Sequence, residues 1–150
     1  MKRLIMSMVA VCLAWGASAT VVLPKILGSN MVMQQNSEVK LWGKSEADKG
    51  VTVVVSWAKG KIKTKADDKG NWSVRVATPA GSYEKHTITI SDGEPLTLEN
   101  IMFGDVWVCV GQSNMEMPVK GYMHQPVENS MQFIRRAGAM RDKIRMFTVQ

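Results

Sequence analysis

The chain has 150 residues and a formal net charge of +6, with 45% apolar and 21% charged residues. These values are typical of a globular protein of one domain or slightly more, and they exclude a largely disordered chain. The positive charge is mild and its lysines are scattered or alternate along a strand-like segment, so no nucleic-acid partner is predicted.

The first nineteen residues have the organisation of a secretory signal peptide. Two basic residues precede an apolar stretch from Leu4 to Trp15, and small residues lead to Ala19. This pattern predicts cleavage after Ala19 and export to a periplasmic or extracellular location. The alternatives are a membrane anchor and a lipid on Cys12. The apolar stretch is short and no later stretch is long enough to span a bilayer, so no stable membrane insertion is predicted once the signal is removed.

Cleavage would leave Cys109 as the single cysteine, so no internal disulfide is predicted. Cys109 lies in an apolar run, and we predict a buried, inert thiol there. No group of histidines, cysteines or carboxylates has the spacing of metal ligands, so neither a metal nor a cofactor is predicted.

Short runs with the composition of β-strands dominate the segment that follows. Turn-forming glycine, aspartate, asparagine and proline residues separate them, and no helical period intervenes. This pattern predicts a β-sandwich of immunoglobulin-like architecture over residues 20–100, without the paired cysteines of antibody domains. The predicted strands are 30–34, 38–43, 51–57, 61–66, 71–76, 85–91 and 95–100.

Three tryptophans, Trp42, Trp57 and Trp72, are predicted to be large pieces of the sandwich core. Each would contribute about a few kcal/mol if buried. The alternative interpretation is an exposed aromatic platform that binds sugar. His86 lies in a predicted strand and is expected to be a surface side chain.

From Ile101 the pattern changes to that of an α/β unit. The apolar run 106–110 predicts a strand covered on both faces, and 143–149 predicts a second one. Between them, 125–140 has apolar residues three and four apart, which predicts a helix with Pro126 in its first turn. Because two strands and one helix cannot bury the faces of such a unit, residues 101–150 are expected to be an incomplete α/β domain.

A serine, Ser113, lies in the turn that follows the first apolar run. A serine at the carboxyl end of a sheet strand projects where α/β proteins place their sites, and its backbone N–H can face a developing oxyanion. Gly111 would allow the backbone to approach closely. The hydrolase elbow G-x-S-x-G is not matched, because Met115 occupies its last position. An ordinary turn residue is the alternative interpretation.

The segment "GDVWVCVGQSNMEMPV", which begins at Gly104, closely resembles the first catalytic block of the sialate O-acetylesterase family. These enzymes are SGNH-type hydrolases related to GDSL esterases, and some acetylxylan esterases share "GQSNM". Upstream, "LPKILGSNMVMQQ", "VKLWGKS" and "DDKGNWSV" resemble the β-sandwich that precedes the catalytic domain in bacterial members. The resemblance implies a β-sandwich followed by the start of an SGNH-hydrolase-like domain. It also implies a metal-free esterase acting on O-acetylated sugars, sialic acid in particular.

The resemblance also implies roles for individual residues. Ser113 matches the nucleophile, with its backbone N–H in the oxyanion hole. Gln112 and Asn114 match the amides that hold the turn, and Asp105 matches the start of the catalytic domain. An ordinary turn or capping residue is the alternative for Asp105.

A base must activate such a serine, because its hydroxyl alone is a poor nucleophile at neutral pH. The family takes its base from a late Asp-x-x-His pair, and no such block occurs before Gln150. The 150-residue chain is therefore expected to be an inactive N-terminal portion of an esterase. His124, eleven positions after Ser113, is the alternative base.

A non-catalytic carbohydrate-binding β-sandwich is the alternative function. It would explain residues 20–100 but leave "GQSNM" without a role. Exposed, coplanar tryptophans on one face would favour it.

Overall fold

The structure is a computed structural model that describes residues 21–149. The predicted signal peptide and its cleavage site lie outside these residues. All seven predicted strands of the segment 20–100 are confirmed. They are β1 (Val32–Gln34), β2 (Glu38–Lys44), β3 (Gly50–Val55), β4 (Ile62–Lys65), β5 (Asn71–Ala77), β6 (Ser82–Ser91) and β7 (Pro95–Gly104).

These strands form two sheets. Five strands lie in the order β1-β7-β6-β3-β4, and β2 pairs with β5 in a separate two-stranded sheet. The β1–β7 pair is parallel, whereas every other pairing among these strands is antiparallel. β7 continues four residues beyond Asn100, and its last residue, Gly104, pairs with Gln34 of β1.

Strict alternation of burial explains how the sheets share one core. Successive side chains of a strand point to opposite faces, and every second residue of β5 is buried, beginning with Trp72. One cluster of buried side chains draws on both sheets, including Leu41 of β2 together with Val53, Ile88 and Ile101 of the larger sheet. The sheet-rich fold is therefore confirmed, while the immunoglobulin-like arrangement stays a prediction.

The three tryptophans have different environments. Trp72 is 3% exposed, which confirms its place in the core. Trp57 is half-buried, and its indole N–H donates to the Ala77 carbonyl at 2.9 Å. Trp42 is 38% exposed, so its predicted core position is wrong. Because Leu41 of the same strand points inward, its neighbour Trp42 must point outward.

The turn between β4 and β5 is held by one carboxylate. Asp67 accepts hydrogen bonds from the backbone N–H groups of Lys69 (2.9 Å) and Asn71 (2.7 Å) and from the Asn71 side chain. The Asn71 side-chain amide is the largest cause that lowers the pKa of Asp67. Gly70 has a φ of +78°, and a Cβ there would collide with the Ser45 carbonyl, so the turn requires glycine.

The carboxylate of Asp92 is buried and is held by a single side-chain hydrogen bond. Its Oδ2 accepts a 2.6 Å hydrogen bond from the Ser45 hydroxyl, whereas its Oδ1 is buried without a partner among residues 21–149. We expect Ser45→Ala to lower the free energy of unfolding by about 1–3 kcal/mol, because the buried carboxylate loses this partner. Urea denaturation measures the change.

Ser73→Ala is the matched control, because Ser73 is exposed on β5 and its hydroxyl makes no hydrogen bond within the described residues. An exposed substitution of this kind should change stability by less than about 0.5 kcal/mol. Equal effects of the two substitutions would contradict the role assigned to Ser45.

After β7 the chain contains little regular structure. A 3₁₀ turn spans Ser113–Glu116, the short strands β8 (Gly121–Tyr122) and β9 (Gln125–Pro126) form a hairpin, and helix α1 spans Ser130–Ala139. The predicted helix is confirmed but starts later, because Pro126 belongs to β9 and Asn129 has a left-handed φ of 56°. No helix within residues 21–149 combines the length and apolar character that crossing a membrane requires.

Both buried strands predicted in this part are wrong. Residues 106–110 form no strand, and Trp107 and Val108 are 84% and 83% exposed. Residues 144–149 form no strand either. A strand needs a neighbour for its backbone groups, and none of the described residues pairs with either segment. The predicted burial of Cys109 is wrong for the same reason, since its thiol is exposed.

Candidate functional site

Ser113 is the first residue of the 3₁₀ turn and is exposed to solvent. The segment that leads to it leaves the sheet at Gly104, the last paired residue of β7. The serine thus lies on a turn, but the strand that was predicted to end just before it is absent, and an extended segment joins the turn to β7.

Some backbone N–H groups of this turn donate to carbonyls within it, and others do not. The Met115 N–H donates to the Gln112 carbonyl at 2.9 Å, and the Met117 N–H donates to the Asn114 carbonyl at 3.3 Å. The first N–H groups of a helical turn have no partner within the turn. The amides of Ser113 and Asn114 are of this kind, and neither donates to a backbone carbonyl within the described residues.

Two adjacent glutamines of β1 and the loop after it fix the start of this segment. The Gln34 side-chain oxygen accepts from the Val106 N–H at 2.9 Å. The Gln35 side chain donates to Asp105 Oδ1 at 2.9 Å and accepts from the Gly81 N–H at 2.7 Å. The two glutamines therefore hold the chain where it leaves β7. The sequence alone had indicated no separate role for them.

An arginine ties the end of the described chain to the β core. The Arg145 guanidinium donates to the Met31 carbonyl (3.0 Å), the Asn100 carbonyl (2.6 Å) and the Asn100 side-chain oxygen (2.9 Å). Asn100 has a left-handed φ of 57°, and its amide donates to Asn30 Oδ1 at 2.6 Å. Arg145 thus brings residues after α1 back onto β7.

Neither histidine is hydrogen-bonded to Ser113 within the described residues. His86 is 9% exposed, so its predicted surface position is wrong, and its Nδ1 lies 3.3 Å from the Ser56 hydroxyl. Its ring packs against those of Trp57 and Phe103, with centroids 5.8 and 5.0 Å away. His124 is exposed in the turn between β8 and β9.

Metal chemistry would need several ligating side chains together. Within residues 21–149 there is no group of three or more histidine, cysteine, aspartate or glutamate residues placed to hold a metal ion.

Comparison with known proteins places the chain in a functional context. No protein-family model matches it. It is 34% identical over 100 residues to sialate O-acetylesterase of Rattus norvegicus and 32% identical over 101 residues to that of Mus musculus. The chain is a homologue of the sialate O-acetylesterases. Each alignment covers 59% of this chain and 18% of the relative, so the chain corresponds to under a fifth of their length.

A solved structure supports the same relationship. The crystal structure of a carbohydrate acetylesterase from Xanthomonas citri superposes with a TM-score of 0.61 at 30% sequence identity. The superposition covers 67% of this chain and 22% of the other. The resemblance inferred from "GQSNM" and the upstream segments is thereby confirmed. The roles of Ser113, Gly111, Gln112 and Asn114 stay predictions.

Proposed function

We propose that this chain carries the nucleophile of a carbohydrate O-acetylesterase of the SGNH type, with O-acetylated sialic acid as the substrate. Homology to sialate O-acetylesterases is the observation that carries the proposal. The serine of "GQSNM" is accessible on a turn that follows β7, which is the placement that a nucleophile requires.

In this mechanism the Ser113 hydroxyl attacks the carbonyl carbon of the acetyl ester. A base takes the serine proton, the sugar oxygen leaves and is protonated, and an acetyl-serine forms. Water then attacks this ester, so that acetate is released and the serine regains its proton. The products are acetate and the free sugar hydroxyl.

The exposed amides of the turn would stabilise the transition state. Negative charge develops on the carbonyl oxygen during attack, and N–H donors aimed at that position lower the barrier. The N–H groups of Ser113 and Asn114 are candidates for this role, because no carbonyl of the described residues accepts from them.

The base has two candidate sources. His124 is the candidate within the described residues, because His86 is buried beside Ser56 and His124 is accessible. The second source is an Asp-x-x-His pair of the kind that the resemblance implies.

The proposal is tested on the product of the native gene, purified from its source organism. We expect it to release acetate from 9-O-acetylated N-acetylneuraminic acid, measured by an enzyme-coupled acetate assay. Acetylated xylan and 4-nitrophenyl acetate are tested in parallel. Faster turnover of xylan would contradict the sialate assignment while supporting the acetylesterase, and no release from any of the three would contradict the esterase itself.

A further inference from the structure

The outward face of the β2–β5 sheet has an unusual composition. In a strand pair, directly opposite residues lie on the same face. The register pairs Lys40 with Arg75, Trp42 with Ser73, and Lys44 with Asn71, and all six residues are exposed. We call this set the cationic face; it consists of Lys40, Trp42, Lys44, Asn71, Ser73 and Arg75.

The positive charges of the cationic face have no carboxylate partner within salt-bridge distance in residues 21–149. Glu38, opposite Ala77, is the one carboxylate at an outward position of the two strands. Like charges directly opposite one another, as in Lys40 and Arg75, destabilise a sheet. Water and salt weaken this repulsion, and an anionic ligand between the two charges would turn it into attraction.

An exposed indole occupies the centre of this face. Trp42 is 38% exposed and lies between Lys40 and Lys44 along its strand. An aromatic ring packs against the C–H groups of a pyranose, while flanking polar side chains reach its hydroxyls. Ser73 lies directly opposite the indole and provides such a hydroxyl group.

We propose that the cationic face binds a carboxylate-bearing glycan, with a sugar ring against Trp42 and a carboxylate near Arg75. A guanidinium suits this task because its planar fork pairs with both oxygens of a carboxylate. The lysines add positive charge on either side of the ring. The site is independent of Ser113 and of any ester hydrolysis, because its residues all belong to β2 and β5.

The other two tryptophans of residues 21–104 do not extend this site into a multi-ring platform. Trp72 is buried, and Trp57 is half-buried with its N–H bound to Ala77. A single ring with surrounding cations predicts a short, charge-selective site rather than a surface for a crystalline neutral polysaccharide.

The proposal is tested by isothermal titration of the 150-residue chain with three polymers at low ionic strength. The probes are polygalacturonate, its methyl-esterified form, and poly-L-glutamate. The first has sugar rings and carboxylates, the second has rings without the charge, and the third has charge without rings. We expect at least tenfold tighter binding to polygalacturonate than to either of the others.

Variants locate the site on the protein. Trp42→Ala and Arg75→Gln should each weaken binding to polygalacturonate at least about tenfold, whereas Trp42→Phe, which keeps an aromatic ring, should weaken it less than about threefold. Lys59→Gln removes an exposed charge that lies on neither β2 nor β5 and should leave binding unchanged. Ser113→Ala should also leave it unchanged, which separates this site from the proposed esterase. A cooperative thermal transition shows that each variant is folded.

Several results would overturn the proposal. Equal binding of poly-L-glutamate would indicate an acidic polypeptide as the partner, and equal binding of the methyl ester would remove the role of charge. Unchanged affinity in folded Trp42→Ala, or no binding of polygalacturonate, would reject the site.

Discussion

Replacing Ser113 by alanine is expected to reduce turnover of an O-acetylated sugar by about 10⁶-fold in the product of the native gene. Without the hydroxyl no acetyl-enzyme can form, and the remaining groups cannot substitute for it. The residue is exposed on its turn and its side chain makes no hydrogen bond among the described residues, so the fold should be unaffected. Acetate release from 9-O-acetylated N-acetylneuraminic acid measures the loss.

Ser56→Ala is the informative control for this experiment. Ser56 is the one serine of the described residues whose hydroxyl contacts a histidine, at 3.3 Å from His86 Nδ1. A Ser–His contact is the usual sign of an activated nucleophile, so Ser56 is the structural rival of Ser113. We expect Ser56→Ala to keep activity within about threefold, because Ser56 lies in the turn after β3 and its hydroxyl already accepts from the Thr87 N–H of β6.

The two variants together decide which serine reacts. Loss of activity in Ser56→Ala with retention in Ser113→Ala would transfer the nucleophile to Ser56, in the turn after β3, and refute the motif assignment. Retention in both would refute a serine mechanism. A His124→Gln variant then tests the base: a loss comparable to that of Ser113→Ala would support His124, and unchanged turnover would exclude it.

Replacing Trp72 by alanine is expected to lower the free energy of unfolding by about 3–5 kcal/mol. Trp72 is 3% exposed and belongs to the core cluster shared by both sheets, so its removal leaves a large cavity. A domain of this size is stable by about 5–15 kcal/mol in total, so the variant should be close to unfolding at moderate temperature. Urea denaturation followed by far-ultraviolet circular dichroism measures the change.

Two further tryptophan variants test whether burial of the Trp72 ring is the cause of this destabilisation. Trp42→Ala should cost less than about 1 kcal/mol, because that indole is on the outward face. Trp72→Phe should cost less than Trp72→Ala, because it retains a ring and removes an indole N–H that is buried without a partner in the described residues. Equal destabilisation by Trp42→Ala and Trp72→Ala would contradict the burial of Trp72 and the exposure of Trp42.

Strand positions could be predicted from the sequence because their signal is local. Alternating side chains and turn residues lie within a few positions of one another, as in "NWSVRV" of β5 and the Asp67 turn before it. Which side chains of a strand are buried was harder to predict from the sequence. Trp42 and Trp72 are both strand tryptophans, and only the neighbours of each strand decide which side of the sheet faces the core.

For the candidate site, the family resemblance was predictable from the sequence. "GQSNM" and the upstream segments indicated the resemblance to the sialate O-acetylesterases, and the relatives confirm it, whereas the role of Ser113 stays a prediction. The contacts that hold the site were not predictable, because they join distant segments. Gln34 reaches Val106, and Arg145 reaches Asn100, across 72 and 45 positions of the chain.

The sequence by itself determined the seven strands, the helix after the serine turn, and the family resemblance. Each of these features depends on residue types that lie close together in the sequence, either as an alternating or helical pattern or as a short motif. Only the tertiary structure decided that Trp42 points outward, that His86 is buried beside Ser56, and that residues 106–110 are exposed. An apolar segment is buried only where another element packs against it. The residues of that element are distant in sequence, so the local pattern does not reveal whether the contact forms.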